Sequence, residues 1–223
     1  MATGPSGEQP GQGEPAGFGD GADLMPGEIP FCEASRALCV RSAKITGASE
    51  GAGQGAGTIC AMKIVRADLE DSHHQASLMV MAEAFSVDPF GANRPLSEPA
   101  RAGLIDGLRA HPTTLVFLAF EDEAPIGMAI CFRGFSTFAA RPVVNIHDFF
   151  VSKNVRGRGV SRALLDAISA EARALGCCKL TLEVLARNGR ARSVYHAAGF
   201  VHASAADSPG GTLFYSRRLE EQI

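Results

Sequence analysis

The stretch from Val143 to Leu165 narrows the fold of this chain more than any other. It opens as Val-Val-Asn-Ile-His-Asp-Phe-Phe-Val, continues as Ser-Lys-Asn-Val-Arg-Gly-Arg-Gly-Val-Ser-Arg, and closes on Ala-Leu-Leu. The pattern predicts an apolar strand, a basic glycine-bearing turn and the first turn of a helix. A strand, a tight turn and a helix start together make an anion site, because the first helical N–H groups lack partners and the helix dipole adds partial positive charge there. Gly157 and Gly159 remove two Cβ atoms, which brings the backbone within reach of a phosphate and makes positive φ cheap. Arg156, Arg158 and Arg162 add charge that does not titrate away. A pyrophosphate is the anion expected.

At 223 residues and a formal charge of −3, the chain suits one domain with an appendage. Residues 1–60 are Gly-, Pro- and Ala-rich and offer too little apolar surface to offset the entropy of ordering, so a disordered tail is expected, with Met62 an alternative functional start. That tail holds seven acidic against three basic side chains, the wrong balance for a transit peptide, and no signal-peptide core is seen. The remainder carries 18 Lys and Arg against 17 Asp and Glu. Such neutrality gives no reason to expect nucleic acid or membrane as a partner, and no apolar run reaches the ~20 residues of a membrane span. Six cysteines, at 32, 39, 60, 131, 177 and 178, show neither Cys-x-x-Cys spacing nor pairing with histidines. Reduced cytosolic thiols are therefore expected, with no disulfide framework and no metal site.

Regular patterning predicts a strand over Met62–Arg66, then a helix capped by Asp68 and presenting Leu78, Met81, Ala82 and Phe85, its His73 and His74 solvated. Residues 86–95 read as a loop, and Ser97 or Glu98 opens a second helix stopped at His111-Pro112. Residues 114–120 and 126–132 form a hairpin about Glu121-Asp122-Glu123, and 133–142 read as a loop. After the 143–151 strand comes a helix over 160–175 ended by Gly176. A strand follows at 179–184 with one face inward, then a helix after Asn188 that ends at Gly199. Short strands from Phe200 and over 212–219 finish the order β-α-α-β-β-β-α-β-α-β-β.

That order, with Arg156-Gly157-Arg158-Gly159 leaving the fourth strand, resembles the GNAT-type N-acetyltransferase superfamily. Arg156, Gly159 and position 161 match its Arg/Gln-x-x-Gly-x-Gly/Ala motif, and Asn188, Tyr195 and Gly199-Phe200 match its later Asn…Tyr…Gly-Phe block. The resemblance covers residues 61–223. It implies an α/β fold with a mixed, largely antiparallel sheet of about six to seven strands, flanked by about four helices, with a splayed central strand pair. It also implies acetyl-CoA as cosubstrate and direct transfer of the acetyl group to an amine. On that reading the amides of Val155 to Ser161, including Arg156, Gly157, Arg158, Gly159 and Val160, hold the pyrophosphate. Phe149, Phe150 and Val151 then pair with pantetheine, and a bulge invisible in the sequence opens the wedge that receives it. Ser161 departs from the motif's small residue; its hydroxyl either crowds a phosphate or donates to it, and donation is favoured. A dinucleotide fingerprint fits less well, since it needs glycine at position 162, where the chain has arginine.

Acyl transfer to an amine requires a proton taken from an ammonium of pKa near 10, a donor for the developing oxyanion, and an acid for a thiolate of pKa near 8.5. Tyr195 is the acid implied by the resemblance, and Asn188 either contacts the cofactor or caps its helix. Strand alternation puts His147, Phe149 and Val151 on one face and Ile146, Asp148 and Phe150 on the other. His147 is the expected base, since imidazole titrates near pH 6.5; Asp148 and Glu183 are fallbacks, and Asp148 alternatively recognises a cationic acceptor. The oxyanion donor is expected to be an N–H near Phe150. The acceptor is a small-molecule or peptide amine approaching over residues 86–95 and 133–142, which carry Asp88, Arg94, Ser136, Thr137 and Arg141. The alternative is a non-catalytic acyl-CoA sensor; a homodimer is left open, and Arg-Gly-Arg-Gly without interleaved aromatics argues against nucleic acid.

Overall fold

The computed structural model describes residues 62–202 and 211–219. The expected tail over 1–60 and most of the 208–211 turn lie outside the described residues. Seven strands and four helices follow the expected order: β1 (Met62–Arg66), α1 (Ser72–Ser86), α2 (Glu98–Ala110), β2 (Thr114–Glu121), β3 (Ala124–Ser136), β4 (Arg141–Val151), α3 (Val160–Ala174), β5 (Lys179–Leu185), α4 (Gly189–Ala197), β6 (Val201–His202) and β7 (Thr212–Arg218). A single 3-10 turn, Lys153–Val155, leads from β4 towards α3. The strands form one sheet in the order β1-β2-β3-β4-β5-β7-β6. All neighbours are antiparallel except β4 and β5.

Helices cover both faces of this sheet, which is why β2 reads as an unbroken apolar run. Leu115, Phe117 and Ala119 face a cluster with Leu164, Leu165, Ile168 and Ala172 of α3. Val116, Leu118 and Phe120 face Leu78, Met81 and Leu108 of α1 and α2. The α3 stripe is the one that the 3.6-residue period predicts, with Leu164 and Leu165 fully buried.

Three local expectations change. Asp71, not Asp68, caps α1, its Oδ1 accepting from the N–H groups of His73 at 2.7 Å and His74 at 3.0 Å. Asp68 is diverted into a turn of its own, accepting from the N–H of Glu70 at 2.9 Å. Residues 133–142 are not a loop: Gly134, Phe135 and Ser136 pair with Val143, Pro142 and Arg141, so the turn shrinks to 137–140. β5 buries Thr181 beside Leu180, Leu182 and Val184, because helices and neighbouring strands enclose it from both sides.

Replacing Leu164 by Ala leaves a cavity where the α3 cluster meets the sheet, and is expected to cost about 2–5 kcal/mol in urea unfolding. A loss below about 1 kcal/mol contradicts this packing.

Candidate active site

The parallel pairing of β4 with β5 runs through Val143, Val144, Asn145 and Ile146, opposite Lys179, Leu180, Thr181 and Leu182, and there it stops. On its other side β4 stays paired with β3 to Val151, but with a shift: Cys131 faces Ile146 while Ile130 faces Asp148. His147 is the extra residue of that bulge. A bulge bends and twists its strand, and beyond it β4 and β5 diverge into a wedge. The wedge opens into a cavity of about 530 Å³.

The bulge also overturns the strand alternation expected from the sequence. Ile146 joins Phe149 and Val151 on the α3 side, while Phe150 packs on the α1 and α2 side. His147 follows Phe150, not Phe149: its ring meets Phe132 edge-on at 5.5 Å, and Phe132 packs against the α1 and α2 cluster. One extra residue reverses every side chain after it.

At the far end of β4 the turn has the geometry an anion needs. Gly157 and Gly159 stand at φ 87° and 86°, where a side chain would be strained. A Cβ built on either meets nothing within 4 Å, so the space above both is open. Ala163 is the first α3 residue whose N–H bonds back, to the carbonyl of Gly159 at 3.0 Å. The N–H groups of Val160, Ser161 and Arg162 therefore point out of the helix end. A second cavity of about 270 Å³, lined by Gly157, Gly159, Val160 and Ser161 on one side and by Val194 and Ala198 on the other, lies against that end. Ser161 borders both cavities.

The arginine side chains are less free than the sequence implies. Arg156 donates through Nε to the carbonyl of Val151 at 2.9 Å and through Nη2 to Asp88 Oδ2 at 3.1 Å, with its guanidinium over the Phe150 ring. Arg158 pairs with Glu121 of β2 and lines neither cavity. Arg162 holds Asp166 and the carbonyl of Ala197. The turn offers backbone N–H groups first and its own guanidinium charge second. Arg190, in the first turn of α4, lines the large cavity and forms no ion pair among the described residues.

Asp88 is 3% exposed. Its Oδ1 accepts from the N–H of Phe90 at 3.0 Å, and Lys153 Nζ lies 3.8 Å from Oδ2. Burial alone raises its pKa, but the Phe90 N–H and the Arg156 guanidinium outweigh burial and hold the carboxyl below the usual range. Asp88 thus ties the α1–α2 loop to the glycine turn rather than receiving an acceptor. Gly91 closes that loop: a Cβ there would lie 2.1 Å from the carbonyl oxygen of Phe85. Arg187 reaches across from the β5–α4 connection, donating to the Pro89 carbonyl at 3.2 Å and covering the Phe90 ring.

The other expected residues divide. Tyr195 is 6% exposed, lines the cavity and meets Phe149 edge-on at 6.0 Å. Burial pushes its phenol pKa upward, so it stays protonated. Phe149, Phe150 and Val151 border the cavity, as do His147 and Glu183. Asn188 also borders it, but its side chain caps α4 by accepting from the N–H of Ala191 at 3.1 Å. Asp148 does not line the cavity: it stands opposite Ile130 in the β3–β4 register, and burial raises its carboxyl pKa while His147 opposes the rise. Arg94, Ser136, Thr137 and Arg141 also lie off the cavity wall. The Asp88–Arg156 pair and the Arg187–Phe90 contact had no local signal in the sequence, because each joins segments distant along the chain; Gly91 and Arg190 were not singled out.

Together these features define an α/β protein in which a helix-end anion cradle opens beside two parted parallel strands. The chain belongs to the acetyltransferase (GNAT) family, whose model matches residues 78–200. It is 40% identical over 55 residues to the uncharacterized N-acetyltransferase YycN of Bacillus subtilis (strain 168), a match spanning 25% of this chain and 35% of YycN. Among solved structures, yncA of Salmonella typhimurium, a putative acetyltransferase with its cofactor acetyl-CoA, superposes with a TM-score of 0.55 at 20% identity over 73% of this chain and 96% of that one. The NatC complex bound to Gag peptide and CoA gives 0.55 at 17% identity over 71% and 99%. At these identities the likeness is one of fold. Among the described residues no helix is long and apolar enough to cross a membrane, and no group of His, Cys, Asp or Glu is placed to hold a metal ion.

Substituting Asp88 by Asn removes one partner of a buried pair, and is expected to cost roughly 3 kcal/mol at neutral pH. Because the folded pKa is depressed, the wild-type advantage is full above the ordinary carboxylate value near 3.9 and fades as pH falls through the lower folded value. Urea titrations of both proteins from pH 7 to pH 2.5 check this; a difference that does not shrink on acidification contradicts it.

Proposed function

We propose that the protein transfers an acetyl group from acetyl-CoA directly to a primary amine. The observation that carries this reading is the wedge beyond Ile146 and Leu182, opening beside an α3 N-terminus that no side chain seals. The residues fit such a cosubstrate. Outward N–H groups of Val160, Ser161 and Arg162, together with the Ser161 hydroxyl, would hold its diphosphate. Arg190 supplies charge from the α4 side, and the β4 edge at Phe149 and Val151 would take its amide arm in the manner of an added strand. When bound, acetyl-CoA supplies an activated acyl carbon.

The chain's own groups then have distinct tasks. Tyr195, kept protonated by burial, donates its phenol proton to the departing sulfur. His147 takes the ammonium proton directly or through water, which lets the amine attack. The N–H of Phe149, on the β4 edge that faces away from β3, is the donor assigned to the developing oxyanion. Asp148, off the cavity wall, has no part in the chemistry.

Two measurements test the reading. Coenzyme A at about 100 Kd should add roughly 2.7 kcal/mol, a Tm rise of roughly 5–10 °C at this chain length. No rise contradicts the site. Thiol release from acetyl-CoA across a panel of amines then separates an enzyme from a mere binder of acyl-CoA. Tyr195→Phe should lower kcat about 10²–10⁴-fold with the coenzyme A Kd unchanged, and His147→Ala should flatten the rise of rate with pH. Wild-type turnover in the first, or an unchanged pH profile in the second, rejects the role concerned.

A further inference from the structure

The wedge is not electrically uniform, and its asymmetry bears on which amine it accepts. Ile146 and Leu182 form the last pair of the β4–β5 ladder, so His147 and Glu183 are the first residues on either side of the opening. Leu182 packs in the α3 cluster. Side chains alternate along β5, so Glu183 faces the other way, on the α1 and α2 side where His147 meets Phe132. Both line the large cavity and both are exposed.

Two carboxylates border that cavity, Asp88 and Glu183. The charge of Asp88 is matched by Arg156 and Lys153. Among the described residues Glu183 makes no ion pair or side-chain hydrogen bond, and a cation with the same freedom, Arg190, stands on α4 across the sheet. The rest of the α1 and α2 side is aromatic: Phe85 stacks obliquely on Phe150 at 5.7 Å, and Phe90 is held under Arg187. No arginine or lysine borders the cavity on this side other than Arg156, which is committed to Asp88 and Val151.

Resting on the acetyl-transfer reading, we propose that the acceptor is a monocationic primary amine joined by a short linker to an aromatic or large apolar group, without a neighbouring carboxylate. Glu183 receives its ammonium beside His147, and Phe85 and Phe90 take the apolar group. A carboxylate next to the amine would meet Glu183 with no cation to answer it, and a polycation would find its extra charges without a carboxylate, since Asp88 is already matched by Arg156 and Lys153.

The test compares 2-phenylethylamine, phenylalanine, lysine and a polyamine as acceptors for thiol release from acetyl-CoA. 2-Phenylethylamine is expected to exceed each of the others at least tenfold in kcat/KM. Glu183→Gln should raise its KM at least tenfold, and calorimetry on the coenzyme A complex should show the same weakening without any turnover. Phe90→Ala should weaken 2-phenylethylamine while sparing methylamine. Phenylalanine, lysine or the polyamine performing as well as 2-phenylethylamine, or an unchanged KM in Glu183→Gln, overturns the acceptor class and leaves acetyl transfer standing. Coenzyme A binding with no thiol release from any amine overturns both.

Discussion

The arrangement depends on the early end of one hydrogen-bond ladder. β4 and β5 are the sheet's parallel neighbours, and they share only four residue pairs before the bulge at His147 turns β4 aside. Past that point each strand has an inner edge whose N–H and C=O groups need partners. Arg156 meets part of that need by donating to Val151. The edge at Phe149 and the Val151 N–H is left for an extended ligand with amides of its own. The same divergence gives the cavity its width and puts the helix end of α3 within reach of it. A straight, fully paired β4 would leave neither a cleft nor a reason for a glycine turn at its mouth.

Charge is arranged around that cleft in layers. On the α3 and α4 side the outward N–H groups and Arg190 favour an anion. On the α1 and α2 side Glu183 stands free while Asp88 is neutralised. The buried Asp88–Arg156 pair spans the two regions, since Asp88 also fixes the N–H of Phe90 in the α1–α2 loop. The loop that walls the acceptor side is thereby tied to the turn that cradles the diphosphate. A pair of this kind adds little net stability over an apolar substitute, but losing one partner is costly. Its value lies in fixing the loop.

Much of this was legible in the sequence, for a physical reason. Helix periods, caps and glycine stops are local signals. They located the α2 start at Ser97 or Glu98, the α3 start after Gly159 and its end at Gly176; the structure has Ser97 as the α2 cap, Gly159 before α3 and Gly176 after it. The strand–turn–helix at Val143–Leu165 was readable because anion cradles need N–H groups and small residues at fixed positions. What was not readable came from register. Nothing in Asn145-Ile146-His147-Asp148 announces an extra residue, and that single residue moved Ile146 to the face of Phe149 and His147 to that of Phe150. The commitments of Arg156 to Asp88 and of Arg158 to Glu121 were hidden because they span 68 and 37 residues of sequence.

The central claim is that an extended, diphosphate-bearing ligand completes the ladder that β4 and β5 leave open. Amide hydrogen exchange with and without coenzyme A tests it most directly. Protection should rise at Phe149 and Val151 on the strand edge, and at Val160, Ser161 and Arg162 at the helix end, with little change in β1 or β2. Coenzyme A that binds while those amides exchange as before would contradict the account.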